Sequence, residues 1–270
     1  MKKFFLTCMV LGLAACHNTP SNKGDNQTSL TSTDTLAIET LCDSSMRKIA
    51  NTIYSEPDSI ECQRMAIIDF PAEGDNSALA TNVREWIFDE LNTSETSPKK
   101  ALADIMQWAA EGEESVVEYK RTEIKKVFEN DRVVSFLNVG EVMNVGAAHG
   151  YHYATGQSFR KTDGKLLGWN IFKTDHEQNM KIQQAITKEL CKYFEVKNWN
   201  ELKELLILSD DLTEAVPLPA AMPLIMGDSL VFDYQPYEIA PYAAGMPSAK
   251  IAIADLESEL TPSAQRLLMK

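Results

Sequence analysis

The sequence predicts an α+β fold, an antiparallel β-sheet of meander and hairpins with helices packed mainly on one face. Three observations lead there. Short apolar runs bounded by turn residues come in groups, and helical stretches come in groups of their own. The helical stretches carry apolar residues at spacings of three to five. Roughly 230 residues remain once a leader and a spacer are set aside, enough for one large domain or two subdomains sharing a core.

The leader comes first. Met1-Lys2-Lys3 precedes a run from Phe4 to Ala15 with hardly a polar group, a positive n-region followed by an apolar h-region. The run is shorter than the roughly 20 apolar residues a bilayer span requires. It ends in Leu13-Ala14-Ala15-Cys16, a box that supplies small residues for cleavage and a thiol for acylation. Residues 1–15 are therefore expected as a lipoprotein signal peptide, with Cys16 carrying the acyl chains (palmitate and its like). Each buried CH₂ contributes about 0.8 kcal/mol, so several chains hold the protein to a membrane. Residues 16–45 are expected as the lipidated cysteine and a flexible tether, rich in Asn, Ser, Thr, Asp and Gly and without an apolar period.

The body follows. Met65-Ala66-Ile67-Ile68-Asp69-Phe70, closed by Pro71, predicts a strand over 61–71. Leu79, Val83, Trp86, Ile87 and Leu91 predict a helix over 76–91. Ser97-Pro98 opens a second helix to about residue 110, with Leu102, Ile105, Met106 and Ala109 on its apolar face. Strands are expected over 116–128 and 133–145, joined by a turn at 129–132, and again over 151–160 after a glycine-rich corner. Thr162-Asp163-Gly164-Lys165 reads as a tight turn into Leu166-Leu167. A helix is expected over 175–193, and Asn198 with Glu201 forms a capping box for another to Leu206. Leu224-Ile225-Met226, a turn at Gly227-Asp228, Leu230 to Tyr234 and a last strand over 249–254 complete the chain.

Charge and cysteines narrow the function. The net charge of −13 becomes two units more negative when Lys2 and Lys3 leave with the leader. Such a surface repels nucleic acid and anionic headgroups, and it steers cationic partners inward. Five cysteines occur, of which Cys8 departs with the leader and Cys16 is lipidated. An oxidising compartment permits a disulfide between Cys42 and Cys62, and Cys191, on an apolar helix face, is expected as a buried thiol.

Two stretches together resemble a known pair of domains. The first is Val133-Val134-Ser135-Phe136, continuing to Gly146-Ala147-Ala148-His149-Gly150-Tyr151 and Thr162-Asp163-Gly164-Lys165. The second runs Leu230-Val231-Phe232-Asp233-Tyr234-Gln235-Pro236-Tyr237-Glu238-Ile239-Ala240-Pro241-Tyr242-Ala243-Ala244-Gly245. They look like the paired domains of unknown function in the extracellular region of the anti-sigma factor RsiV and the non-catalytic region of the polysaccharide deacetylase PdaC. The resemblance spans roughly residues 62–256. It implies an α+β ligand-binding fold, with 46–165 as an N-terminal and 166–270 as a C-terminal subdomain. In RsiV the corresponding region recognises lysozyme. No stretch resembles the catalytic deacetylase domain or a cytoplasmic anti-sigma segment. The family has two glycines before the Ala-His pair where this chain has Gly146 and Ala147, and alanine would be strained were φ positive there.

The binding candidates are Tyr237, Glu238 and Tyr242 on the long string, with His149 and Tyr151 at the glycine corner. Pro236 and Pro241 bar the string from a central strand, so it must form a loop or an edge. Its tyrosines either make a recognition surface or cap the core, and the general use of aromatic rings in burial favours capping. His149 and His152 lie three apart at a strand corner, a spacing expected to point them to opposite faces. No cysteine or close carboxylate completes a shell with them and His176 stands alone, so neither a metal nor a cofactor is expected and His149 should bond nearby backbone. Asp233 with Glu238, or Asp210-Asp211, would be the carboxylates for acid–base work, but no nucleophile motif or phosphate loop accompanies them. The expectation is a lipid-anchored envelope protein that binds or senses without catalysis. Its partner would be a basic protein, lysozyme-like in chemistry. The alternative is an envelope enzyme or accessory module acting on peptidoglycan or other glycans. His17, where an acidic residue would retain the protein at the inner membrane, points to the outer membrane, facing the periplasm or the surface.

Overall fold

Alternation along the strands sends neighbouring residues to two different cores. The computed structural model describes residues 35–51, 57–108, 117–173, 179–208 and 214–269. The leader, Cys16, most of the expected tether, His176 and Asp210-Asp211 lie outside these residues. Strands β1 (Ile38–Ala50), β2 (Ser59–Pro71), β3 (Val117–Glu129), β4 (Val133–Asn144), β5 (Tyr151–Arg160) and β6 (Leu166–Leu167) form one sheet in chain order. Its pairs are antiparallel except β2 with β3, which run parallel. The exception follows from helices α1 (Ala78–Leu91) and α2 (Pro98–Ile105), which lie between those strands in the chain; a parallel pair needs such a crossover.

One face of the sheet receives α1. Ser77 caps the helix by accepting from the Ala80 N–H, and Asn92 closes it in the left-handed conformation. Val83 and Ile87 are fully buried with Ile68, Phe70, Ile124, Val134, Phe136 and Phe159. Trp86 and Phe136 both meet Phe159 edge-on, at centroid separations of 6.1 and 6.3 Å. α2 stops at Ile105, short of the expected 110, and among its expected apolar positions Met106 is buried while Leu102 and Ile105 are only partly covered. Ala109 lies outside the described residues.

The opposite face receives a second layer. Strands β7 (Leu224–Met226), β8 (Ser229–Asp233) and β9 (Ser248–Ala252) form a small antiparallel sheet backed by helix α3 (Met180–Tyr193). Short helices α4 (Trp199–Lys203) and α5 (Pro262–Leu268) complete this half. Val133 points into this core, with Ile182, Ile186, Leu190, Leu230, Phe232 and Tyr234, whereas its neighbour Val134 points into the first. Hydroxyls join the layers: Ser135 Oγ donates to the Ile225 carbonyl at 2.8 Å, and the Ile225 N–H donates to Ser158 Oγ at 2.9 Å. Gly156 permits the close approach, because a Cβ there would stand 2.9 Å from a Leu224 methyl. The described residues make one compact unit with these two cores.

Several expectations need correction. Residues 38–45, expected as the end of a flexible tether, belong to β1. α3 begins at Met180, which is exposed, and Asn179 is its cap. α4 ends at Lys203, not Leu206; Asn198 caps it by accepting from the Glu201 N–H, and the Glu201 carboxylate accepts from the Asn198 side-chain amide and from the Lys197 N–H rather than from the Asn198 N–H. α5 carried no helical expectation. The disulfide is excluded by strand register: Cys42 faces Ile67 and Cys62 faces Arg47, five positions apart. Five residues of strand span roughly 16 Å, whereas a disulfide tolerates Cα separations of about 4–7 Å.

Candidate functional site

A hairpin tip and a proline-bounded loop meet to form an aromatic platform. The tip joins β4 to β5. Gly146 takes the positive φ of 82° there, and Ala147 is not among the positive-φ residues, so the missing second glycine causes no strain. The loop leaves β8 after Asp233. Tyr234 is fully buried and its hydroxyl donates to the Pro217 carbonyl at 2.6 Å. Gln235 then docks on β5: its amide donates to the Ala154 carbonyl at 2.7 Å and accepts from the Ala154 N–H at 3.2 Å. That serves a strand edge which β6 covers only at Ser158 and Phe159. Glu238 closes the loop by accepting from the Ala220 and Gln235 N–H groups, each at 2.7 Å.

This scaffold brings three sequence candidates together. The His149 ring stacks on Tyr242 with centroids 3.9 Å apart and planes 22° apart. The Tyr237 hydroxyl lies 3.1 Å from His149 Nε2, and His149 Nδ1 lies 2.9 Å from the Gly150 carbonyl. A carbonyl only accepts, so the neutral ring carries its proton on Nδ1 and accepts from Tyr237 at Nε2. Tyr237 is half-exposed and sits at φ 67°, a conformation that strains any side chain beyond glycine. His152 also flanks Tyr242, at 6.1 Å, and its Nδ1 is 3.8 Å from Glu141 Oε1. The Tyr242 phenol is pushed above its ordinary pKa, first by desolvation and then by the Glu141 charge.

The two histidines were expected on opposite faces. They flank the same ring because His149 precedes β5, in the turn, where strand alternation does not apply. Tyr151 and His152 are successive residues of β5 and do point oppositely, so Tyr151 faces away from the platform. Glu238 spends both oxygens on backbone, which makes it a brace for the loop and no partner for Asp233. Asp233 itself is pushed up by burial, against a hydrogen bond from Ser248. Sequence reading passed over Glu141 and Gln235; the period-2 pattern that puts Glu141 on the face of Leu137 and Val139 was the available signal for the first. No group of three metal-ligating side chains occurs among the described residues. The platform offers ring faces, two phenols and one carboxylate, a surface suited to cations or flat apolar groups.

The architecture is that of an α+β protein, a large and mostly antiparallel sheet layered with a smaller one, with an aromatic loop between them. Residues 170–254 match the family model described as "Protein of unknown function (DUF3298)". That segment holds Tyr237 and Tyr242 but not His149. Two solved structures share the fold. A DUF3298 family member from Bacteroides fragilis is 16% identical with a TM-score of 0.65, and a DUF3298 family protein from Pseudomonas aeruginosa is 15% identical with a TM-score of 0.59. Each alignment covers 87% of this chain and 98% of the other. Comparison with curated proteins gives no match.

Proposed function

We propose that this chain is a lipid-anchored protein of the cell envelope whose body binds a ligand at the His149–Tyr237–Tyr242 platform without transforming it. The supporting observation is Tyr237, an exposed aromatic residue kept in a strained conformation and held against His149. Strain of that kind persists where neighbouring structure enforces it and where the side chain is used. The partner is a basic protein, lysozyme-like in its chemistry. Arginine and lysine side chains stack on tyrosine faces, Glu141 stands beside them, and a net charge of −13 steers cationic surfaces inward. The resemblance to RsiV supports the same reading. The anchor rests on Leu13-Ala14-Ala15-Cys16 and on His17 after it, which favours the outer membrane.

Calorimetric titration of lysozyme into the full chain tests the partner. Heat at low salt that fades as salt rises is expected; no heat at low salt removes the partner. Retention of the chain on purified peptidoglycan, with no response to lysozyme, would favour the glycan-binding alternative. Mass spectrometry of the mature protein tests the anchor, which requires acyl chains on Cys16.

A further inference from the structure

One rung of the large sheet gathers hydrogen-bond donors without acceptors. Register sets Ser45 of β1 opposite Arg64 of β2, and Arg64 opposite Lys120 of β3. Residues paired this way share a face of the sheet. Ser45 Oγ and Arg64 Nε are shielded from water and have no hydrogen-bond partner. They are two of only three such side-chain atoms among the described residues. The far end of the guanidinium is occupied: it donates to the Ile105 and Gln107 carbonyls where α2 ends, and the Trp108 ring lies 4.9 Å away. Lys120 is half-buried and makes no ion pair with the described residues. Burial, and then the charge of Arg64, both push its ammonium below the ordinary lysine range. Glu118, two positions before Lys120 and at a register irregularity of β3, lies close enough to Cys62 to push that thiol's pKa up, after burial.

Two cations face each other across neighbouring strands, and a hydroxyl and a guanidinium N–H beside them are unanswered. Like charges so placed repel, and buried donors without acceptors destabilise a fold. In a chain as acidic as this one carboxylates are abundant, yet among the described residues none pairs with Lys120. We propose that the Ser45–Arg64–Lys120 rung is an oxyanion site that takes a carboxylate or phosphate group of a ligand, entered from the Lys120 side. An oxyanion supplies several acceptor lone pairs and one or two negative charges, which the rung lacks. The same rung continues through Val142 to Tyr151, which is 45% exposed. The group carrying the anion therefore has an apolar and aromatic shelf on which to lie. The site is on the opposite face from the His149 platform and stands whether or not that platform binds lysozyme.

Thermal unfolding of the full chain in inorganic phosphate, in malonate and in chloride, matched for ionic strength, tests it. Phosphate, malonate or both should raise Tm saturably above the chloride control, and which one does so identifies the anion class. Lys120→Met should abolish that rise and should itself raise Tm in chloride, because the repulsion with Arg64 is gone. A merely solvated lysine would give neither effect. Ser45→Ala removes only a hydroxyl and should weaken anion binding about tenfold; it decides the matter should Lys120→Met fold poorly. No saturable rise with either anion, an undiminished rise in Lys120→Met, or unchanged binding in Ser45→Ala overturns the proposal.

Discussion

Replacing Glu129 by glutamine should be among the most damaging polar substitutions in the protein. Glu129 ends β3 and is nearly buried. One oxygen accepts from the Leu36 N–H and from Lys161 Nζ, each at 2.7 Å, and the other accepts from Lys126 Nζ at 2.8 Å. Lys126 also donates to the Leu36 carbonyl at 3.0 Å, so the carboxylate ties the segment before β1 to the β3–β4 and β5–β6 turns. Burial alone would push the Glu129 carboxyl up. The two lysine hydrogen bonds and the Leu36 N–H outweigh it and hold the pKa below the ordinary value. Glutamine preserves the shape but withdraws the charge from two ammonium groups whose side chains are 21% and 11% exposed. Removing one member of a buried ionic cluster costs about 3 kcal/mol. For a domain of this size each kcal/mol moves Tm by about 2–4 °C, so a fall of about 6–12 °C is expected. Because the folded pKa is lowered, this stabilisation is complete above the unfolded carboxyl pKa of about 4.3 and disappears as pH falls through the folded value. The gap between wild type and Glu129→Gln should therefore be full at pH 7 and close in strong acid. A loss below about 0.5 kcal/mol at pH 7 would refute the reasoning, since that is the size of a surface pair; so would a gap independent of pH.

Three more outcomes follow from geometry. Gly164→Ala should lower the unfolding free energy in urea titration by at least about 2 kcal/mol, through a lower midpoint at unchanged slope, because φ is +70° and a Cβ would lie 2.5 Å from the Ala78 carbonyl oxygen. Reductant should leave the melting curve of the full chain unmoved, since Cys42 and Cys62 are out of register; a reductant-sensitive Tm would mean that β1 pairs differently. Tyr237→Gly should weaken lysozyme binding at least about tenfold while Tm holds or rises, because glycine adopts φ 67° without strain. A clear drop in Tm would make Tyr237 a structural residue instead.

Much of the body was legible because its signals are local. The strand over 151–160, the turn at Asn130 and the start of β7 match expectation to the residue, since alternation, proline and turn chemistry act over a few positions. β1 was not legible. It is an edge strand whose residues are mostly exposed, so it lacks the apolar period that marks a half-buried strand. The parallel pairing of β2 with β3 was equally invisible, because it depends on where α1 and α2 return the chain. At the site, the two prolines correctly demanded a loop, and Tyr237, Tyr242 and His149 stood out by type. Tyr151 and Glu238 were chosen on the same grounds. One faces the opposite side of the sheet, and the other is consumed by backbone.

By itself the sequence determined the class of fold, the order of most elements, the acidity of the surface and the aromatic string that builds the platform. Each of these depends on residue type and on neighbours a few positions away. Only the tertiary structure decided what meets what. It put His149 on Tyr242 across more than ninety positions of chain, separated Cys42 from Cys62 by register, and brought Ser45, Arg64 and Lys120 onto one rung. Those encounters are set by strand register and layer packing, which sum many weak contacts over the whole molecule and leave no mark in any short stretch of residues.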